Sequence, residues 1–149
     1  MKKTLTEDKT QLKELIDQVS ILGDQKDFNN QVQLFTENAL SETRAEGKVI
    51  MELKGRGVMA KAFAEFLKDV ETVYHFNGQS VFTIKGDEAT GICYCLITLI
   101  SNQKDKKIRT TIGAVYNDHC VLHDHQWLID KRIGDFLWQE KCEIHSSEL

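Results

Sequence analysis

The chain has 149 residues, of which 41% are hydrophobic and 28% are charged, and its net charge is −4. This length suits one domain, and the composition is typical of a soluble globular protein. Nucleic-acid binding normally requires a basic stripe, so we expect no nucleic-acid partner. The longest apolar run, residues 92–100, is too short to span a membrane, so we expect no membrane partner.

The amino terminus does not have the pattern of a signal peptide. Two lysines follow Met1, but the mostly polar residues 4–8 (TLTED) stand where an apolar segment should begin. We therefore expect a cytoplasmic protein, in which the four cysteines are thiols. Cys93 and Cys95 lie two apart, and a bridge between such residues on one strand would be strained. No disulfide framework is predicted.

The first predicted element is an amphipathic helix. Thr4 and Glu7 have capping-box spacing at its start, and Gly23 suits a left-handed cap at its end. Its apolar residues recur at the spacing of a helix face that packs on a core. They are Leu5, Leu12, Leu15, Ile16, Val19 and Leu22.

A second, shorter helix is predicted where Phe28, Val32 and Phe35 share one face. Asp24 or Asp27 could supply its N-terminal cap, because a carboxylate at that position accepts from free backbone N–H groups.

A hairpin and a third helix complete the first half of the chain. The hairpin joins residues 40–43 to residues 49–53 through the turn residues Glu46-Gly47. A helical stripe over residues 58–70 predicts the third helix.

The second half of the chain alternates as β-strands do. Short polar segments separate the four predicted strands, and this spacing predicts an antiparallel meander. Asn77-Gly78 predicts a bulge in the first of them. Helices followed by an uninterrupted sheet indicate a single α+β domain, with the helices on one face of a curved sheet. The predicted strands are residues 71–84, 89–101, 108–122 and 126–138.

The order of several short motifs resembles the SnoaL-like branch of the nuclear transport factor 2-like superfamily. The resemblance covers residues 8–138, and we expect the polar tail 139–149 to be frayed. It implies a cone-shaped fold, in which a curved antiparallel or mixed sheet wraps around the N-terminal helices and an apolar cavity. It also implies a homodimer packed through the outer sheet face. The motifs are Leu34–Ala39 (LFTENA), Gly55–Phe66, His75-Phe76, Gly86–Ala89 (GDEA), and Trp127 with Arg132.

A catalytic relative, scytalone dehydratase, implies two catalytic positions. Asp24 matches an aspartate that follows the first helix, and His75 matches a histidine at the start of the long strand. The relative's second histidine corresponds to Cys93, and its tyrosine before the aspartate corresponds to Gly23. Half of the dehydratase apparatus is therefore present in this chain.

His75 is the candidate general base or acid, because the pKa of a histidine is ordinarily near neutral. A carboxylate bonded to its far nitrogen would fix the tautomer, and Asp24 is the candidate. The alternatives are a structural histidine in a polar pocket mouth and an Asp24 that only caps a helix. Proton transfer of this kind needs no cofactor.

The predicted cavity lining is mostly apolar. One predicted lining residue, Cys93, has an alternative role as a thiolate nucleophile with His75 as its base. The cluster His119, Cys120, His123 and His125 invites a zinc site, but residues 119 and 120 would point to opposite strand faces, so we predict no metal. The predicted lining consists of Met59, Phe63, Cys93, Cys95 and Tyr116.

Three functions fit this pattern. The first is a cofactor-independent dehydratase, isomerase or cyclase, in which His75 moves a proton on an apolar cyclic substrate. The second is a non-catalytic protein that binds a small apolar ligand. The third is a protein-interaction module. Residues 92–100 are apolar at both strand parities, so both faces of that strand are expected to be covered, one of them by a second subunit.

Overall fold

The fold is known from a computed structural model, which describes residues 3–145. Three α-helices precede or interrupt a six-stranded sheet, so the α+β prediction is confirmed. The elements in chain order are α1 (Leu5–Asp24), α2 (Phe28–Gln31), a 3-10 turn (Val32–Leu34), β1 (Phe35–Ala45), β2 (Lys48–Lys54), α3 (Arg56–Leu67), β3 (Val70–Lys85), β4 (Glu88–Gln103), β5 (Lys106–His123) and β6 (Gln126–Ile144).

The sheet is curved, mixed and open. Its strand order is β2-β1-β6-β5-β4-β3. Strands β3 to β6 form the predicted antiparallel meander, and β1 pairs with β2 in the predicted hairpin. The pairing of β1 with β6 is the parallel one. The register shift between Asn77 and Ser80 confirms the bulge in β3.

Helix α1 begins as predicted and ends differently. The backbone N–H of Glu7 donates to Thr4 Oγ1 at 3.1 Å, and the N–H of Thr4 donates to Glu7 Oε2 at 2.7 Å. The prediction of a left-handed Gly23 cap was wrong, because Gly23 is buried within the helix. The left-handed residue after the helix is Lys26, with φ of 56°.

The second predicted helix is shorter than expected. Helix α2 ends at Gln31, a 3-10 turn follows, and Phe35 already begins β1. Asp27 is the residue that caps α2, since the N–H of Asn30 donates to its Oδ1 at 3.3 Å. Asp24 therefore does not cap this helix, and its carboxylate is left for other partners.

The third helix and the last strand also differ in their bounds. Helix α3 ends at Leu67, and Val70 starts β3 instead of ending the helix. The prediction of a frayed tail was wrong for residues 139–144, which pair with β5. These polar side chains are exposed, but their backbone continues the sheet ladder. Residues 146–149 lie outside the described part of the chain.

The core fills the space between α1, α3 and one end of the sheet. Leu12, Ile16, Met59 and Ile129 are fully buried there. A smaller cluster follows β4 and β5 and comprises Cys95, Ile97, Ile112 and Ala114. Between residues 3 and 145, no helix has the length and apolar content that crossing a membrane would need.

Candidate active site in the cavity under the sheet

A cavity of about 480 Å³ lies between the helices and the inner face of the sheet. The floor of the cavity comes from residues that face each other across β4 and β5, such as Ile97 opposite Ile112 and Leu99 opposite Thr110. Phe28 and Phe63 cover it from the helices, with ring centroids 6.3 Å apart. Such a chamber suits a ring-sized apolar molecule.

His75 stands in the wall of this cavity beside Asp24. It lies on β3 opposite Ile97, and the end of α1 brings Asp24 next to it. The Oδ1 atom of Asp24 is 2.6 Å from His75 Nδ1. The backbone N–H of His75 also donates to Asp24, at 3.0 Å to Oδ1 and 3.2 Å to Oδ2. The side chains of His75 and Asp24 are 18% and 25% exposed, and of the two His75 is the one that lines the cavity.

This contact decides which nitrogen of His75 is available. A carboxylate only accepts, so Nδ1 carries the proton that is donated to Asp24. In the neutral ring Nε2 is then the acceptor, and no group within residues 3–145 hydrogen-bonds to it. The pair thus has the arrangement of a general base and its orienting carboxylate.

Gly23 leaves room beside this pair. A Cβ on Gly23 would lie 2.8 Å from Gln31 Nε2 and 3.8 Å from His75 Cε1. The amide of Gln31 occupies the space, and its Nε2 donates to the carbonyl of Val19 at 2.9 Å. Glycine at this position therefore lets a polar side chain of α2 approach the imidazole.

Arg132, one partner of a buried ion pair, forms another part of the wall. Arg132 donates through Nε to Asp118 Oδ1 at 2.8 Å and through Nη2 to Oδ2 at 2.9 Å. Its guanidinium also lies 4.2 Å from the centre of the Tyr116 ring. Burial disfavours the charged guanidinium, but Asp118 outweighs that effect and keeps the pKa of Arg132 above its ordinary value. The partner of Arg132 is therefore a carboxylate on the neighbouring strand β5.

Two of the five predicted lining residues are in the cavity wall, namely Phe63 and Tyr116. The other three do not line this cavity. Met59, Cys93 and Cys95 are buried in the core clusters instead, because their side chains pack beneath the helices and against neighbouring strands. Burial raises the pKa of Cys93, and it raises that of Cys95 to about 12.

The thiol chemistry considered for Cys93 has no support in the geometry. Cys93 pairs with Ser80 on β3, whereas His75 pairs with Ile97, four residues further along β4. A base is therefore not opposite the thiol, and its raised pKa disfavours the thiolate that a nucleophile needs.

The histidine cluster near the β5–β6 turn does not form a metal site. In the part of the chain that the structure describes, no three histidine, cysteine, aspartate or glutamate side chains come together to hold an ion. His119 lies 3.2 Å from Glu88 Oε1 and 3.5 Å from Asp130 Oδ2, whereas Cys120 is buried in the core.

Several wall residues were not predicted from the sequence. Gln31 is the most informative of them, because it is buried and polar. It follows Phe28 by three positions, so a polar residue on the apolar face of α2 was the available signal. Phe28, Ile97 and Ile112 carry no signal of their own, since apolar residues in a wall and in a core look alike in sequence.

The outer face of the sheet carries exposed apolar side chains. On β4, Ile92, Tyr94 and Leu96 are each 38–44% exposed. On β3, Tyr74 and Phe76 are 56% and 63% exposed, and Phe76 pairs with Leu96. We call these five residues the outer apolar patch.

Comparison with known proteins fits this architecture. The family model described as a SnoaL-like domain matches residues 4–133. The chain belongs to this SnoaL-like family. No protein of curated function matches it in sequence.

Solved structures of similar fold extend over nearly the whole SnoaL-like chain. A protein of Novosphingobium aromaticivorans proposed to be a scytalone dehydratase has a TM-score of 0.79 at 15% identity, covering 95% of this chain and 91% of its own. A type 2 hexachlorocyclohexane dehydrochlorinase, LinA, has a TM-score of 0.79 at 18% identity, covering 95% and 94%. The Kfla4162 protein of Kribbella flavida has a TM-score of 0.82 at 15% identity, covering 92% and 95%. At these identities the likeness concerns the fold alone.

Proposed function

We propose that this SnoaL-like protein binds an apolar, ring-sized molecule in its cavity and that His75 transfers a proton to or from it. The observation that carries the proposal is the contact of 2.6 Å between Asp24 Oδ1 and His75 Nδ1 in the wall of that cavity. A histidine on the surface does not need a carboxylate that orients its ring. A cavity that only holds an apolar ligand does not need an oriented imidazole in its wall.

The proton moves through the free nitrogen of His75. Nε2 takes a proton from a carbon or oxygen of the ligand, and the ring becomes an imidazolium that the Asp24 carboxylate stabilises. The same ring returns the proton to a leaving group or to another carbon. This gives dehydration, isomerisation or ring closure.

Two similar folds support an elimination among these reactions. One is the protein proposed to be a scytalone dehydratase, and the other is the hexachlorocyclohexane dehydrochlorinase. Dehydration removes a proton and a hydroxyl group, and dehydrochlorination removes a proton and a chloride, so both are eliminations.

Proton transfer can be tested before the natural substrate is known. 2-Tetralone is an apolar bicyclic ketone with acidic α-protons, and their exchange in D₂O is followed by proton NMR. We expect the wild-type protein to accelerate this exchange and His75→Ala to lower the acceleration by about 100-fold or more, the usual contribution of a general base. His123→Ala is the matched control, because His123 is exposed at the end of β5.

Each outcome separates the candidate functions. Exchange that depends on His75 supports the enzyme. Saturable binding of 2-tetralone without accelerated exchange contradicts proton transfer and leaves a ligand-binding protein. Failure to bind 2-tetralone or any related bicyclic ketone contradicts the ligand cavity and leaves the interaction module.

We also propose that the protein is a homodimer, with a second copy packed on the outer apolar patch. Its members Tyr94 and Leu96 lie on a central strand, where soluble monomers rarely leave neighbouring large apolar side chains in water. The opposite face of the same strand packs into the smaller core cluster. Covering both faces explains why residues 92–100 are apolar at both parities.

A further inference from the structure

Gln31 has a buried acceptor that no protein group uses. The residue is only 8% exposed and lines the cavity. Its Nε2 donates to the Val19 carbonyl at 2.9 Å, whereas its Oε1 has no hydrogen-bond partner within residues 3–145. Turning the amide over would set Oε1 against the Val19 carbonyl, two acceptors facing each other, so the orientation is fixed.

An acceptor of this kind is unusual in a folded protein. Most buried side-chain polar atoms have a partner, and a buried group without one carries a desolvation cost. The same cost makes the atom selective, because a ligand with a donor removes the penalty and a ligand without one does not.

The amide group of Gln31 lies near His75. Gln31 Nε2 and His75 Cε1 both lie within 4 Å of one point, the place where a Cβ on Gly23 would be. Gly23, Gln31 and His75 all line the same cavity, so the amide and the imidazole belong to one part of its wall. The same wall includes the aromatic rings of Phe28 and Phe63.

We infer that Gln31 is a specificity residue whose Oε1 accepts a hydrogen bond from a hydroxyl or N–H group of the ligand. The ligand class is therefore an apolar ring compound that carries a hydrogen-bond donor, and the donor lies next to the position on which His75 acts. This inference rests on the proposed function, because it needs a ligand in the cavity.

A pair of probes isolates the acceptor. 2-Naphthol has a hydroxyl donor, whereas 2-methoxynaphthalene has the same ring system and no donor. Dissociation constants of both are measured by isothermal titration calorimetry on wild-type protein, Gln31→Met and Gln33→Met. Methionine keeps the length of glutamine and removes the amide, and Gln33 is the matched control because it is exposed in the adjoining 3-10 turn.

We expect the wild type and Gln33→Met to bind 2-naphthol about tenfold more tightly than 2-methoxynaphthalene. In Gln31→Met the preference should fall to about twofold or less, while 2-methoxynaphthalene keeps its wild-type affinity. A general disturbance of the fold would weaken both probes together, so the ratio reports on the acceptor.

Two results would overturn the inference, and they differ in what else they affect. An unchanged preference in Gln31→Met removes the role of Gln31 and leaves the ligand cavity intact. Failure of the wild type to bind either probe removes the inference and also counts against the proposed function.

Discussion

Asp24 binds both the backbone and the side chain of His75. Its Oδ1 accepts from the backbone N–H at 3.0 Å and lies 2.6 Å from Nδ1 of the ring. The first contact attaches the end of α1 to β3, and the second sets the ring orientation. The Asp24 carboxylate therefore both holds α1 against β3 and orients the His75 ring. Substitutions at Asp24 should affect the free energy of unfolding as well as proton transfer.

Asp118→Asn should destabilise the protein strongly. The change removes the negative charge beside Arg132 and leaves a buried guanidinium without its ion partner. Breaking a buried pair in this way costs about 3 kcal/mol or more in the free energy of unfolding, measured by urea titration. Glu65→Gln is the matched control, since the Glu65–Lys68 pair is exposed and should contribute about 0.5 kcal/mol or less. Equal losses in the two variants would contradict the structural role of Asp118.

Buried thiols should make the protein less stable in alkali. Burial raises the pKa of Cys95 and of Cys120 to about 12, whereas an unfolded thiol ionises near about 8.5. The unfolded chain therefore loses these protons first, and stability falls as the pH rises above that value and through the folded pKa. Each thiol should contribute up to about 1.4 kcal/mol per pH unit in this range.

The contribution of the thiols is measured by urea unfolding at pH 7, 9 and 10.5. Cys95→Ala/Cys120→Ala should show a shallower loss of stability than the wild type, even though its stability at pH 7 is lower. Identical slopes would mean that other groups account for the alkaline loss. Cys142→Ala is the control, because that thiol is only partly buried.

The outer apolar patch should hold two copies together. In light scattering at about 50 μM, the wild type should have a mass about twice the 17.1 kDa of one chain. Tyr94→Lys places a charge within the patch and should give the monomer mass. Val58→Lys changes a similarly exposed apolar residue on α3 and should leave the dimer intact. A monomeric wild type would contradict the proposed interface.

Much of the fold follows from periodicity and turn chemistry. The Thr4–Glu7 capping box, the Glu46-Gly47 hairpin turn and the bulge after Asn77 were all predicted from local sequence, and the structure contains each of them. Local sequence patterns gave wrong predictions where contacts between residues distant in the chain determine the structure. Gly23 looks like a cap, but its missing side chain serves the packing of Gln31 against α1.

The candidate site was predictable only in part. A likeness of motifs suggested Asp24 and His75, and the structure brings these two residues together, while their catalytic role stays a prediction. Cys93 and Cys95 were assigned to the cavity because strand parity gives the face of a side chain but not its depth. How deeply a side chain is buried depends on the helices and strands packed over it, and a local sequence pattern carries no information about those neighbours.

The most direct test of the account is the tautomer of His75, measured by long-range ¹H–¹⁵N NMR on uniformly labelled protein at a pH where the ring is neutral. His75→Ala assigns the signals among the five histidines. We predict a protonated Nδ1 and an unprotonated Nε2 in the wild type, and a shift towards the Nε2–H tautomer in Asp24→Asn, which no longer has the carboxylate. A wild-type ring protonated at Nε2, or a tautomer unchanged by Asp24→Asn, would contradict the claim that Asp24 prepares His75 as a base.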